Sequence, residues 1–280
     1  MRWFKRRRRV RSKRLIERKR RLFLFKSIAI IFALIVLVGL SSWILYRPFM
    51  QIDEIIVNGN NVISDSEIID IIKENTTGKY LFLFPRSNIF IYPENKIKAL
   101  ILTSFRQIKS VDIVRSGFQT LYIEIKEQRP YALWCIFDSS KNEQVQDNCY
   151  FLNKGGLVFS KAPNFTGNVF FRFYGGLGST NPIGKYYLKV NSEFNRVDIL
   201  INSIKGLGIV PIELHPLEDS DMELYMEDGS KVLFTKEQSS SEVFNNLKII
   251  LESETFKNKN MENVEYIDLR FGDKVYFKLK

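Results

Sequence analysis

The sequence predicts an α+β protein. An N-terminal transmembrane helix precedes a module of the order strand-helix-helix-strand-strand, and a mostly antiparallel β domain with flanking helices follows. An uncharged run of 20 residues near the N-terminus predicts the transmembrane helix. Helical and alternating apolar patterns after it predict the mixed modules. A chain of 280 residues with 45% apolar and 26% charged residues can bury one or two cores, so simple disorder is excluded for most of its length.

The excess positive charge lies in the first 26 residues. This tail, residues 1–26, holds 14 Lys and Arg and one acid, whereas the other 254 residues hold 28 basic and 30 acidic residues. A folded domain that binds nucleic acid needs a basic face, so no nucleic-acid partner is expected. The tail is predicted to orient the chain in a membrane. A secondary contact of the tail with anionic lipid headgroups, or with nucleic acid, stays open.

Residues 27–46 form the predicted membrane span. At about 1.5 Å per residue, 20 helical residues cross the hydrocarbon core of about 30 Å. Trp43 and Tyr46 lie at the far end, where aromatic rings favour the interface, and Pro48 ends the helix. The positive-inside rule places residues 1–26 in the cytoplasm and the later domains outside. A cleaved signal peptide is the alternative, but its apolar region is usually about 7–15 residues and ends in small residues.

Two cysteines, Cys135 and Cys149, bracket a polar stretch between apolar runs. Outside the cytoplasm they would meet an oxidising environment. A disulfide across the base of a long hairpin loop and a pair of unpaired buried thiols are both compatible with this pattern.

The first module begins with a predicted strand at 49–57, which turn residues at 58–61 end. Ser64 and Glu67 fit a capping box at the start of a helix with one apolar face. Pro93 precedes a second helix. Alternating residues then predict the remaining two strands, at 108–115 and 120–127, with an apolar connector at 81–84 between the helices.

These residues resemble a known family. The segment FMQIDEIIVNGNNVISDSEIIDII follows the basic tail and the span, and it resembles the start of a POTRA domain of the FtsQ/DivIB cell-division proteins. The matching positions are Val57, Gly59, Asn60 and Ser64. The segment SVDIVRSGFQTLYIEIKEQRPYALW is similar to the paired strands of that POTRA domain and to the family's Glu-x-x-Pro-x-Ala segment. The resemblance implies a POTRA domain at 49–128 and a β domain at 129–280, and the insertion at 78–90 departs from the family pattern.

The second module has further strands and two helices. Helical spacing predicts helices at 194–204 and 239–256, and Gly175 to Gly178 read as a loop. The predicted strands are 150–152, 157–159, 169–174, 209–214, 222–226, 231–235, 264–269 and 274–278.

The most specific family match lies in the strand near the C-terminus. The resemblance implies that this region binds the bitopic division proteins FtsL and FtsB/DivIC, and strand addition at a sheet edge is the expected means. The candidate partner-binding residues are Tyr266, Ile267, Asp268, Leu269, Arg270 and Phe271. The alternative is that these residues only close the core of the domain.

No catalytic residue, cofactor or metal ion is expected. The sequence has no phosphate-binding loop of the form G-x-x-x-x-G-K-[ST] and no G-x-S-x-G motif, and its one histidine, His215, has no obvious catalytic partner. The family resemblance implies that the chain is a membrane-anchored divisome scaffold in the bacterial inner membrane, at the division septum. Two alternatives remain: a POTRA-bearing transport or secretion accessory protein, and a hydrolase that uses the acids Glu218, Asp219, Asp221 and Glu223.

Overall fold

The computed structural model describes residues 13–136, 148–175, 177, 181–188, 191–217, 220–254, 256, 261–272 and 274–280. The chain divides into two compact units. The first contains Met1–Ile101 and Val111–Ile125, and the second contains Leu102–Ser110 and Lys126–Lys280. Residues 1–12 of the basic tail lie outside the described residues.

A long helix, α1 (Lys13–Leu45), contains the predicted span. The stretch Glu17–Leu45 of this helix has a mean hydropathy of 2.8 over its most apolar window, and none of that window is buried against protein. A short 3₁₀ turn at Pro48–Met50 follows the helix. The length and composition of α1 are those of a single-pass anchor or a signal sequence.

The first unit has the predicted order of strands and helices, with one added hairpin. Its elements are β1 (Glu54–Asn58), α2 (Asp65–Thr76), β2 (Lys79–Tyr80), β3 (Phe84–Pro85), α3 (Glu94–Ser104), β4 (Ile108–Ser116) and β5 (Thr120–Glu127). The sheet has the order β1-β5-β4, and β1 runs parallel to β5. Strands β2 and β3 pair as a separate hairpin in the segment predicted to be a connector.

The first strand starts later than predicted. Pro48 begins the 3₁₀ turn, and sheet pairing starts only at Glu54, which lies opposite Thr120. The apolar faces of the helices and of β5 form the core. Its fully buried members include Ile68, Ile72, Ile97, Ile101, Leu121 and Ile123.

The second unit is built on one large sheet. Its elements are β6 (Ala132–Cys135), β7 (Cys149–Leu152), β8 (Val158–Lys161), β9 (Arg172–Tyr174), α4 (Asn191–Lys205), β10 (Pro211–Pro216), β11 (Asp221–Met226), β12 (Lys231–Thr235), α5 (Ser240–Glu252), β13 (Val264–Phe271) and β14 (Lys274–Leu279). The nine described strands have the order β14-β13-β12-β11-β10-β9-β6-β7-β8, and most neighbouring pairs are antiparallel. The α+β class and the mostly antiparallel sheet are therefore confirmed.

Some predicted bounds shift by a few residues. The predicted strand 169–174 shortens to Arg172–Tyr174, and the predicted helix 239–256 ends at Glu252. Within the predicted loop 175–178, Gly175 has a φ of 69°, and residues 176 and 178 lie outside the described part of the chain.

Helices α4 and α5 supply the apolar cover of the large sheet. One core cluster joins Phe194 and Ile204 of α4 and Leu247 of α5 to strand residues such as Leu224 and Ile267. These residues come from distant parts of the sequence. The C-terminal strands and the two helices therefore pack together in one shared core.

Candidate functional site at the C-terminal sheet edge

The predicted partner-binding residues lie on β13, the second strand from the end of the sheet. Ile267 of β13 lies opposite Val232 of β12 on one side and opposite Phe277 of β14 on the other. The backbone of β13 is therefore paired on both sides around Ile267. At this end of the sheet, a partner strand can be added only beyond β14.

The side chains of the six candidates divide between two environments. Ile267 and Leu269 are fully buried in the core that contains α5. Because side chains alternate along a strand, Asp268 and Arg270 lie on the opposite face of the sheet. Phe271, at the end of the strand, is 56% exposed.

Arg270 holds the carboxylates of two strands together. It donates to Asp268 through Nε at 2.8 Å and through Nη2 at 2.6 Å, and its Nη1 donates to Asp221 of β11. Hydrogen bonds to Asp268, and then to Asp221, raise the pKa of Arg270 above its usual range. Burial raises the pKa of Asp268, but the hydrogen bonds from Arg270 outweigh this and leave that pKa below its usual range. The cluster ties β13 to β11 across β12.

A second buried acid on the same face is also paired. Glu223 of β11 lies 2.6 Å from the Lys231 ammonium and accepts a hydrogen bond from the Tyr225 hydroxyl at 2.7 Å. Burial, followed by the hydrogen bond to Glu223, raises the pKa of Tyr225 to about 12. The charges on this face are thus arranged in local pairs.

Glu213 and His215 continue the face on β10. His215 Nε2 lies 3.2 Å from Glu213, and Arg172 lies 2.9 Å from the other Glu213 oxygen. The hydrogen bond with His215, followed by that from Arg172, lowers the pKa of Glu213. The His215 ring stacks on Tyr174 with centroids 4.2 Å apart. These contacts give His215 a packing role.

The outer strand β14 exposes aromatic side chains that the sequence prediction did not select. Tyr276 is 52% exposed and Phe277 is 37% exposed. The rings of Phe271 and Tyr276 are 5.4 Å apart and nearly perpendicular, whereas Phe277 packs against Phe256. The sequence predicted β14 as a strand but not its position at the edge of the sheet, because periodicity does not reveal the order of strands. This edge position makes Tyr276 a candidate partner-binding residue.

The opposite edge of the same sheet is partly covered. Val158 of β8 donates to the Lys185 carbonyl at 2.9 Å and accepts from Gly184 at 2.8 Å. Tyr186 forms a bridge with Leu157, just before the strand. Among the described residues no segment pairs with the outer side of β14, so β14 is the more open edge.

The acids considered for hydrolysis do not form a free pair where they are described. Asp221 binds Arg270 and Glu223 binds Lys231, while Glu218 and Asp219 lie outside the described residues. Asp221 also lines a cavity of about 440 Å³ together with Met222 and Phe234. Within the described part of the chain, no group of three or more His, Cys, Asp or Glu side chains could hold a metal ion.

The predicted POTRA motif forms a tight turn between β1 and α2. Val57 is buried, and Gly59 has a φ of 86°. A Cβ atom at Gly59 would lie 2.2 Å from the carbonyl oxygen of Ile125, so only glycine fits. The Asn60 side-chain amide, through Nδ2, donates to the Ile63 carbonyl at 2.6 Å.

Ser64 ends this turn as the N-cap of α2. Its hydroxyl accepts from the Glu67 amide at 3.3 Å, and its own amide donates to the Glu67 carboxylate at 3.4 Å. The predicted capping box is therefore confirmed.

Cys135 and Cys149 are joined by a disulfide and lie directly opposite each other on β6 and β7. The structure therefore contains the bridged form of the two sequence alternatives. The bridge closes the base of the connection between the two strands, and residues 137–147 of that connection lie outside the described residues. Cys135 is fully buried beside Leu133 and Tyr174.

No protein-family model matches the chain, and no curated protein matches it. The family resemblance therefore depends on the motifs quoted above.

Proposed function

We propose that this chain is a non-catalytic, single-pass scaffold of the bacterial divisome of the FtsQ/DivIB type. Outside the cytoplasm it binds small bitopic division proteins resembling FtsL and FtsB/DivIC. The observation that carries this proposal is the outer edge of β14. No described strand pairs with this edge, and the exposed rings of Phe271 and Tyr276 lie beside it.

The α1 helix serves as an uncleaved anchor in this proposal. The uncharged run at 27–46 is 20 residues long, which is longer than the apolar region of about 7–15 residues that is usual for a signal peptide. The basic tail stays in the cytoplasm, and the later domains lie outside, at the division septum.

Strand addition explains how a scaffold binds at this edge. Backbone hydrogen bonds supply much of the affinity, and side chains that alternate along the added strand supply specificity. A partner strand beside β14 would meet Tyr276 on one face and Phe277 on the other. The Arg270 cluster has a separate role, because it fixes β13 and so supports the edge strand.

A POTRA-bearing transport or secretion accessory protein is the second candidate. It is favoured by Val114, which is 50% exposed on β4, an edge strand of the three-stranded sheet. Its clients would be unfolded polypeptides that add to this sheet.

The test places a photo-crosslinking residue, p-benzoylphenylalanine, at single positions of the full chain in living cells of the source bacterium. The positions are Tyr276 on the C-terminal edge, Val114 on the POTRA edge and Ile199, which is 57% exposed on α4, as the control. Crosslinked proteins are identified by mass spectrometry.

Crosslinks from Tyr276 to a small single-span division protein, without such crosslinks from Ile199, would support the scaffold. Crosslinks from Val114 alone to many secreted chains would favour the transport accessory protein. If Tyr276 captures no membrane protein, strand addition at β14 is wrong.

A further inference from the structure

The hairpin of β2 and β3 carries two large apolar side chains at its tip. Leu81 is 81% exposed and Phe82 is 93% exposed, and no large apolar side chain that the structure describes is more exposed than Phe82. Their φ angles are 48° and 62°, which residues with side chains rarely adopt. A disfavoured backbone conformation thus presents both side chains outward.

The hairpin lies beside the last turns of α1. The Ser42 hydroxyl donates to the Leu83 carbonyl at 2.6 Å, and Ser42 belongs to the uncharged run at 27–46. At about 1.5 Å per residue, Ser42 lies about 4–5 Å before the end of the helix. When α1 crosses a bilayer, the hairpin tip therefore lies near the depth where acyl chains meet headgroups.

Other exposed apolar side chains of the first unit gather at this end of α1. The Asn88 side-chain amide, through Nδ2, donates to the Leu45 carbonyl at 2.9 Å. This bond ties the segment after β3 to the end of α1. Next to it, Phe90 is 45% exposed, and its ring lies 5.9 Å from that of Phe118, which is 57% exposed. Phe49, in the turn after α1, is 53% exposed. These rings belong to segments that adjoin the end of α1, as the hairpin does.

Basic side chains accompany aromatic rings in the same region. Three cations each lie over a ring: Arg47 over Trp43 at 3.6 Å, Lys79 over Tyr46 at 5.4 Å and Arg86 over Tyr80 at 5.0 Å. Aromatic rings favour the membrane interface, and basic groups there can bind lipid phosphates. The composition around the apolar tip is therefore that of a surface in contact with lipid.

We propose that the β2–β3 hairpin inserts Leu81 and Phe82 into the membrane leaflet next to the extracytoplasmic domains, with Lys79 and Arg86 at the level of the lipid phosphates. The hairpin is then a second membrane contact beside α1. A single helix leaves the first unit free to rotate about the helix axis, whereas two contacts restrict that rotation. This inference rests on the uncleaved anchor of the proposed function.

The test measures the depth of single labelled positions in the full chain. The variants Phe82→Cys, Val62→Cys and Ile44→Cys each add one thiol, since the native cysteines form a disulfide. Each thiol carries a nitrobenzoxadiazole fluorophore, and each variant is reconstituted in vesicles of phosphatidylcholine and phosphatidylglycerol. Lipids with a doxyl group on the acyl chain quench fluorophores that lie within the leaflet. Val62 is the matched control, because it is 72% exposed and lies in the turn at the other end of β1.

We expect the label at Phe82 to lose fluorescence to an extent comparable with the label at Ile44, and the label at Val62 to keep its fluorescence. If Ile44 is quenched but Phe82 behaves like Val62, hairpin insertion is wrong and the anchor stands. If Ile44 is not quenched, the anchor is wrong, and the insertion proposal falls with it.

Discussion

Arg270 donates two hydrogen bonds to the carboxylate of Asp268, two residues earlier on the same strand, at 2.8 Å and 2.6 Å. The Asp268 side chain is 8% exposed, so its carboxylate depends on Arg270 for the hydrogen bonds and the charge stabilisation that water would otherwise supply. The same guanidinium reaches Asp221 on β11. The motif that the resemblance assigned to partner binding therefore contains a structural ion cluster.

Replacing Arg270 with Met should destabilise the second unit. Breaking a buried pair costs about 3–5 kcal/mol, and we expect about 2 kcal/mol because Arg270 and Asp221 are partly exposed. The measurement is denaturant unfolding of the detergent-solubilised chain, followed by tryptophan fluorescence, to which the buried Trp134 contributes. Lys278→Met, which removes the exposed pair with Glu265, is the control and should leave the unfolding free energy almost unchanged. Equal effects of the two substitutions would contradict the structural role.

The same cluster should make stability depend on acid pH. The pKa of Asp268 is lower in the folded state than in the unfolded chain, so the unfolded state binds more protons as the pH falls. The stability that this carboxylate contributes is full above its unfolded pKa of about 4 and is lost as the pH falls through its folded pKa. The difference in unfolding free energy between the wild type and Arg270→Met should therefore narrow between about pH 5 and pH 3. A difference that stays constant over this range would show that the charge of Asp268 is not involved.

The disulfide should stabilise the β6–β7 pair. Cys135 and Cys149 are 14 residues apart, and a loop of this length gives about 3 kcal/mol in the chain-entropy account. We expect the double substitution of both cysteines by Ala to lower the unfolding free energy by about this amount. Alkylation of the unfolded chain before and after reduction, read by mass spectrometry, checks the bond itself. Labelling of both thiols without prior reduction would contradict the bridge.

Gly59 should tolerate no side chain. Gly59→Ala places a Cβ 2.2 Å from the Ile125 carbonyl oxygen at a φ of 86°, and we expect a loss of about 3 kcal/mol. Gly117→Ala is the matched control, since its φ is 65° and nothing lies within 4 Å of the added atom. That change should cost only about 1 kcal/mol. The loss of stability in each variant is measured by hydrogen exchange of the backbone amides of β1 and β5. Similar exchange rates in Gly59→Ala and Gly117→Ala would contradict the close contact between Gly59 and the Ile125 carbonyl.

Local signals predicted most elements of this fold. Ser64 and Glu67 lie three residues apart, so the capping box and the start of α2 can be read from the sequence. The alternation of Leu121, Ile123 and Ile125 predicted β5 and its buried face. Such signals depend on neighbours within a few residues, and tertiary structure did not override them.

Long-range relationships could not be predicted in the same way. The burial of Asp268 depends on Arg270 and on Asp221 from a strand 47 residues earlier. The open edge at β14 depends on the order of the strands. The tip at Leu81 and Phe82 uses positive φ angles and strands of two residues, which are too short to show a period. The open edge and the hairpin tip are also the features that carry the two proposals.

Tyr276→Ala should weaken partner binding at the β14 edge. Tyr276 is 52% exposed, and an interface tyrosine of this kind contributes about 1–2 kcal/mol, which corresponds to a roughly tenfold loss of affinity. The control is Tyr186→Ala, because Tyr186 is 47% exposed but lies at the covered β8 edge. The measurement is a titration of the full-length variants in detergent with the partner that crosslinking at Tyr276 identifies. Unchanged thermal melting must accompany the loss, since a misfolded edge would also lower affinity. If the two substitutions weaken binding equally, the partner does not distinguish the open edge from the covered one, and strand addition at β14 is wrong.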